Sequence, residues 1–210
     1  MDREREAGII GASGAGLLVV GLIAYIAWRK RNKENTGWGL PPADVVNEAS
    51  ILPYLNNQYE LSDDGYYLTS YTNGTTKGWK NHNPLNILNT QHNQWRGEIT
   101  QMDPDSKYEI FISNIYGYRA AIKNIRTYIR NGYNTLEKIV DRWSGVNNNT
   151  AYRDFVYTNS AVDRNTPIAE DDWTSIMSLV NAMAMMENGK SPEPDENEIV
   201  DAALMVYYGV

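Results

Sequence analysis

Residues 171–189, DDWTSIMSLVNAMAMMENG, decide the fold class. Trp173, Ile176, Val180, Met183 and Ala184 recur at helical spacing, so the stretch reads as a helix with a buried stripe. Asp171 and Asp172 suit its electropositive start, and Gly189 lies just past its end. Continuing the stripe from Val180 and Met183 lands on Glu187, a carboxylate where the pattern asks for a hydrophobe. Desolvation and the negative helix pole both disfavour its charged form and raise its pKa. A carboxyl kept protonated near neutral pH is what a general acid for glycosidic cleavage needs. The bland alternative is a last turn that twists Glu187 into solvent.

Outward from this helix the signals stay helical. Ile115, Tyr118, Ile122, Ile125 and Ile129 follow the same period after Ser113, and Gly132 stops the run. Asn134 with Glu137 resembles a capping box, followed by Leu136, Ile139, Val140 and Trp143 on one face. A short helix is expected over Thr150–Tyr157, and a last one over Glu196–Tyr208 after the Pro192–Pro194 break. Toward the N-terminus a short helix near Asp44–Leu55 and a strand over Tyr66–Thr72 are expected, with a second strand over Tyr108–Ile112. The fold class is mainly α, with minor β. The 23 asparagines gather in loops such as 81–93 and 147–149.

The N-terminal block is a different kind of sequence. Gly8–Trp28, GIIGASGAGLLVVGLIAYIAW, has no ionisable group but the Tyr25 phenol and is followed by Arg29-Lys30-Arg31. As a helix it spans roughly 30 Å, the thickness of a bilayer core. Basic residues after the apolar run argue against a cleaved leader and for a single transmembrane anchor with the following domain on the cytoplasmic side. Ala7, Gly11 and Ala15, like Gly8, Ala12 and Gly16, would let two such helices pack as a homo-oligomer, although small residues are common in membrane helices anyway. The organisation is therefore an anchor over 1–33, a linker over 34–42 and a mostly helical domain over 43–210.

Charge divides along the same line. The anchor block carries six basic and three acidic side chains; residues 34–210 carry 13 basic and 23 acidic. An acidic domain argues against nucleic acid as partner. No cysteine is present, which excludes disulfides, thiolate metal sites and cysteine nucleophiles. His82 and His92 cannot make a three-histidine metal centre, and no cofactor motif appears, so neither metal nor cofactor is expected. Chemistry is left to carboxylates, hydroxyls and amides. Glu187 is the first candidate and Glu98, in a polar loop after Trp95-Arg96-Gly97, the reserve.

Several strings together resemble a family of small phage-associated proteins, often labelled phage structural proteins. They are Asn81-His82-Asn83-Pro84-Leu85-Asn86-Ile87, Trp95-Arg96-Gly97, Tyr116-Gly117-Tyr118-Arg119-Ala120, Gly132-Tyr133-Asn134-Thr135-Leu136, Asp141-Arg142-Trp143 and Glu187-Asn188-Gly189. The resemblance covers about residues 81–189. Leu85 stands where the family usually has glycine, and Ser144–Asn148 replaces a proline-rich loop that contains a glutamate. The NPxNI element is also similar to the N-x-x-x-I element of lysozyme-like glucosaminidases, in which a helical E-S-G segment supplies the acid. There the acid precedes the asparagine element; here it follows, which implies a circularly permuted lysozyme-like core.

That resemblance implies that Asn83, Asn86 and Trp95 line a sugar groove, the asparagines by amide hydrogen bonds and Trp95 by stacking. For Asn83 and Asn86 turn formation is the alternative. The expected whole is a virion protein in a membrane, with a domain that degrades peptidoglycan during host entry as a lytic transglycosylase or muramidase. Before assembly it would sit in the host inner membrane, with lipid, peptidoglycan and capsid proteins as partners. The rival readings are a non-enzymatic virion protein linking capsid to internal membrane, and a bacterial envelope protein that binds peptidoglycan.

Overall fold

The computed structural model describes residues 75–90, 93–99, 107–145, 150–190 and 192–209. Six helices account for nearly all their regular structure: α1 (Lys77–Lys80), α2 (Asn114–Arg130), α3 (Leu136–Ser144), α4 (Thr150–Asn159), α5 (Trp173–Asn188) and α6 (Glu196–Tyr207). The described part is mainly α. Two isolated antiparallel bridges, Leu88 to Tyr108 and Glu98 to Phe111, stand where a strand was expected over Tyr108–Ile112. The aromatic and β-branched residues there serve burial instead: Phe111 is fully buried against the helices.

The central element is α5. Asp172 caps it by accepting the Ser175 N–H at 3.1 Å. Ile176, Val180, Met183 and Ala184 are buried as the spacing required, but so are Met177, Leu179 and Ala182, while Trp173 is only half-buried. Apolar residues thus cover more than one face, and α5 packs against α1, α2, α4 and α6. Each fully buried Leu, Ile or Met side chain contributes about 1.5–3 kcal/mol relative to exposure. The most extensive helix pair is α2 with α6; Ile115, Tyr118, Ile122 and Ile125 of α2 and Ile199, Ala202 and Ala203 of α6 all lie in the common core.

Two local expectations shift. The cap of α3 is Thr135, whose hydroxyl accepts the Lys138 N–H at 3.3 Å; Asn134 instead uses its carbonyl to accept the Ile168 N–H at 2.6 Å. Threonine wins because it is the residue with extended backbone next to the first helical turn. The other difference is α1, a four-residue turn absent from the sequence reading because it is too short to show a period.

A close approach holds the 81–87 loop on α2. A Cβ at Gly117 would lie 2.3 Å from the His82 carbonyl oxygen and 2.8 Å from Pro84 Cδ. Gly117→Ala is therefore expected to push loop and helix apart at a cost of roughly 1–3 kcal/mol, read as a lowered Tm. An unchanged Tm would contradict the contact.

The candidate span Gly8–Trp28, the helix near 44–55 and the strand over 66–72 lie outside the described residues. Among those described, no helix is long and apolar enough to cross a membrane.

Candidate functional site

Two motifs about a hundred residues apart meet at the C-terminal end of α5. Asn86 Nδ2 donates to Glu187 Oε2 at 2.9 Å. Asn188, buried, donates to the Pro84 carbonyl at 2.6 Å and to the Ala184 carbonyl at 3.1 Å, and accepts from the Thr76 hydroxyl at 2.6 Å. It is a three-way clamp between α1, the 81–87 loop and α5. The fit is tight: a Cβ at Gly78 would fall 2.2 Å from Asn188 Oδ1.

Glu187 is half-buried, between the two positions that the helical pattern left open. Burial raises its pKa; the hydrogen bond from Asn86 and the neighbouring Tyr152 hydroxyl pull it back, and the balance remains a rise. The Tyr152 hydroxyl, itself buried, is pushed up in turn by burial and then by the Glu187 charge. Asn86 adopts the left-handed region, φ 49°, which asparagine tolerates better than most residues. Its Oδ1 is buried and has no hydrogen-bond partner. One side of the Asn86 amide thus grips the acid while the other offers an unmet acceptor beside it.

Asn83 is used differently. It is fully buried, its amide donates to the Ile87 and Glu109 carbonyls at 3.0 and 2.9 Å, and its Oδ1 accepts the Ile87 N–H at 2.9 Å. With both donors and its oxygen engaged inside the loop, it braces the turn and does not line a groove. Trp95, half-buried, belongs to a separate turn: its backbone N–H donates to Glu98 Oε2 at 2.9 Å. Glu98 in turn faces Glu109, 2% exposed, whose carboxyl is pushed up to about 7 by burial, then by the Glu98 charge and a hydrogen bond with it. The Glu98–Phe111 bridge brings the segment of Glu98 beside that of Glu109, so the Glu98 charge adds to burial in disfavouring an ionised Glu109.

A third polar group reaches the same loop from α6. His82, at φ 48°, has Nδ1 3.3 Å from Asn114 Oδ1, and Asn114 Nδ2 donates to Glu198 Oε2 at 3.1 Å. Burial lowers the His82 pKa and lifts Glu198 to about 7. The 81–87 loop is therefore linked to three glutamates with raised pKa values, through His82 and Asn114 to the Glu198 carboxyl, through Asn83 to the Glu109 backbone, and through Asn86 directly to the Glu187 carboxyl. Sequence reading had singled out Glu187 alone among these three. Glu109 hides in an apolar-looking YEIFI string, Glu198 in an acidic helix start and Tyr152 in a short helix, so none of them shows a pattern.

Comparison with known proteins places this mainly helical chain among phage proteins. No family model matches it. Over 125 residues it is 33% identical to Protein P5 of Pseudoalteromonas phage PM2, a match that takes in 57% of this chain and 76% of that protein. The chain belongs to the family of that Protein P5.

Proposed function

We propose that the chain is a phage virion structural protein, fixed in a membrane by residues 8–28, whose helical domain cleaves the glycan of peptidoglycan at host entry. The observation that carries this reading is Glu187, a half-buried carboxyl with a raised pKa at the end of the central helix, gripped by Asn86 at 2.9 Å. Protonated Glu187 would give its proton to the glycosidic oxygen as the bond from the anomeric carbon breaks. No second carboxylate is among the groups that set its ionisation. That favours attack on the anomeric carbon by a hydroxyl of the same sugar, which returns its proton to Glu187 and closes an internal anhydro ring. Water enters no step, so the reaction is a lytic transglycosylation. Glu98 stays the reserve acid, beside the buried Glu109.

A vesicle taken from the host membrane into a capsid keeps its cytoplasmic leaflet outward, so the domain would face the shell and capsid proteins. The wall-cutting group would be withheld from the host wall until infection. Clearing of a peptidoglycan gel by the detergent-solubilised full chain tests the activity. Absence of clearing at every pH from 4 to 8 (about the range over which the raised carboxyls titrate) would leave the non-enzymatic reading, a link between capsid and membrane. Tyr152→Phe keeps the ring but removes the hydroxyl that opposes the rise in the Glu187 pKa; the alkaline limb of the activity profile is expected to move to higher pH. An unmoved limb would contradict the pairing.

A further inference from the structure

Two of the motif strings, Gly132–Leu136 and Asp141–Trp143, supply no group to the Glu187 site, yet the fold brings them together. Tyr133, in the turn after α2, is 42% exposed and meets the Tyr128 ring edge-on, with 6.4 Å between centroids. Arg142 of α3 lies 5.7 Å over both rings. Lys138, four residues earlier on the same face of α3, donates to the Gly132 carbonyl at 3.5 Å. Charge on α3 is thereby sorted. Glu137 and Asp141, one position round the helix, are taken by other partners, Glu137 by Arg164 and Asp141 by Arg153 at 2.6 Å. Lys138 and Arg142 are exposed, and among the described residues no carboxylate pairs with either.

We infer that Tyr133, Lys138 and Arg142 form a second subsite for peptidoglycan, taking a sugar ring on the tyrosine and a neighbouring carboxylate on the two cations. The inference rests on peptidoglycan as the substrate of the proposed function, and not on Glu187 as its acid. An exposed tyrosine ring offers an apolar face to the C–H face of a sugar. A guanidinium held over aromatic rings keeps its N–H edge for a carboxylate, which it takes by two parallel hydrogen bonds. Charge complementarity selects the same occupant. Residues 34–210 carry 23 acidic and 13 basic side chains, so two cations without a carboxylate partner are a local exception that an anionic polymer finds. Peptidoglycan has such carboxylates on its stem peptides and, where a stem is missing, on the lactyl group of the sugar. The subsite is also tied to the acid: Asp141, beside Arg142, pairs with Arg153, and the Tyr152 hydroxyl next to Arg153 feels the Glu187 charge. A strand held at both points leaves more slowly than from either alone, because the second contact is intramolecular.

The test is co-sedimentation of the detergent-solubilised full chain with purified peptidoglycan sacculi, on ice. Arg142→Gln is expected to weaken binding about tenfold, the loss of a charge-assisted hydrogen-bonded pair. Tyr133→Ala is expected to weaken it at least about threefold. Arg142→Lys keeps the charge without the planar fork and should recover only part of the loss. Amidating the sacculus carboxyls should bring the parent down to the level of Arg142→Gln and change that variant little, an equivalence that a purely structural role for Arg142 does not produce. If a variant misfolds, the amidation arm on the parent still decides. Sacculi stripped of stem peptides by an amidase separate the two sources: Arg142-dependent binding that persists assigns the lactyl carboxylate, and binding that is lost assigns the stem. Binding indifferent to amidation, or to both Arg142→Gln and Tyr133→Ala, overturns the subsite. So does Arg142-dependent attachment to phosphatidylglycerol vesicles with none to sacculi. Glycan release that needs Glu187 but ignores Arg142 removes the subsite and keeps the proposed function; Arg142-dependent binding with no release keeps the subsite and removes the catalytic step.

Discussion

Glu187→Gln is expected to reduce peptidoglycan clearing by roughly 10²- to 10⁴-fold, the range over which a positioned general acid acts. The substitution keeps the side chain's size, and its oxygen can still accept from Asn86 Nδ2, so the clamp made by Asn188, Pro84 and Thr76 is undisturbed. What is removed is the proton. The loss should therefore appear in turnover at every pH, with the thermal unfolding of the variant close to that of the parent. Because burial raises the Glu187 pKa, the parent's activity should decline on the alkaline side as the carboxyl ionises. Clearing by the Gln variant at the parent's rate would contradict the assignment.

Stability should fall as pH rises from about 4.5 to about 7. Glu109 and Glu198 each move from an ordinary 4.5 to about 7 in the folded chain, and Glu187 moves in the same direction. Folded pKa values above the unfolded ones mean that the unfolded chain ionises first. The contribution is therefore complete below about 4.5 and lost as pH climbs through 7. Two and a half pKa units correspond to about 3 kcal/mol at most for each group. General repulsion in an acidic domain acts in the same sense, so a lowered Tm at pH 8 relative to pH 5 is not enough. Glu109→Gln separates the two: it leaves a neutral partner for Glu98 and should recover the share of the difference that Glu109 contributes. A pH 5 to pH 8 difference in Tm as large in the variant as in the parent would contradict the raised Glu109 carboxyl.

Much of this was legible in the residues. Helices α2 and α5 rest on long apolar periods, and their ends fell within two residues of expectation because Ser113, Asp172 and Gly189 punctuate them. The odd position of Glu187 was readable for the same reason: a charged residue breaks a pattern that is otherwise regular. Its grip by Asn86 was not readable, since a contact across 101 residues has no local signature. Nor was the burial of Asn83, because an asparagine that closes a loop and one that faces a ligand look alike in sequence. The Glu98–Glu109 pair escaped for a further reason. It depends on a bridge between two short segments that lack the alternation of a regular strand.

The most direct measurement is mass spectrometry of the fragments released when the folded full chain is incubated with purified peptidoglycan near pH 5. The account predicts soluble glycan fragments with internal anhydro ends in the parent and their loss in Glu187→Gln. Folded parent chain that releases no fragment, or releases the same fragments after Glu187→Gln, would contradict it.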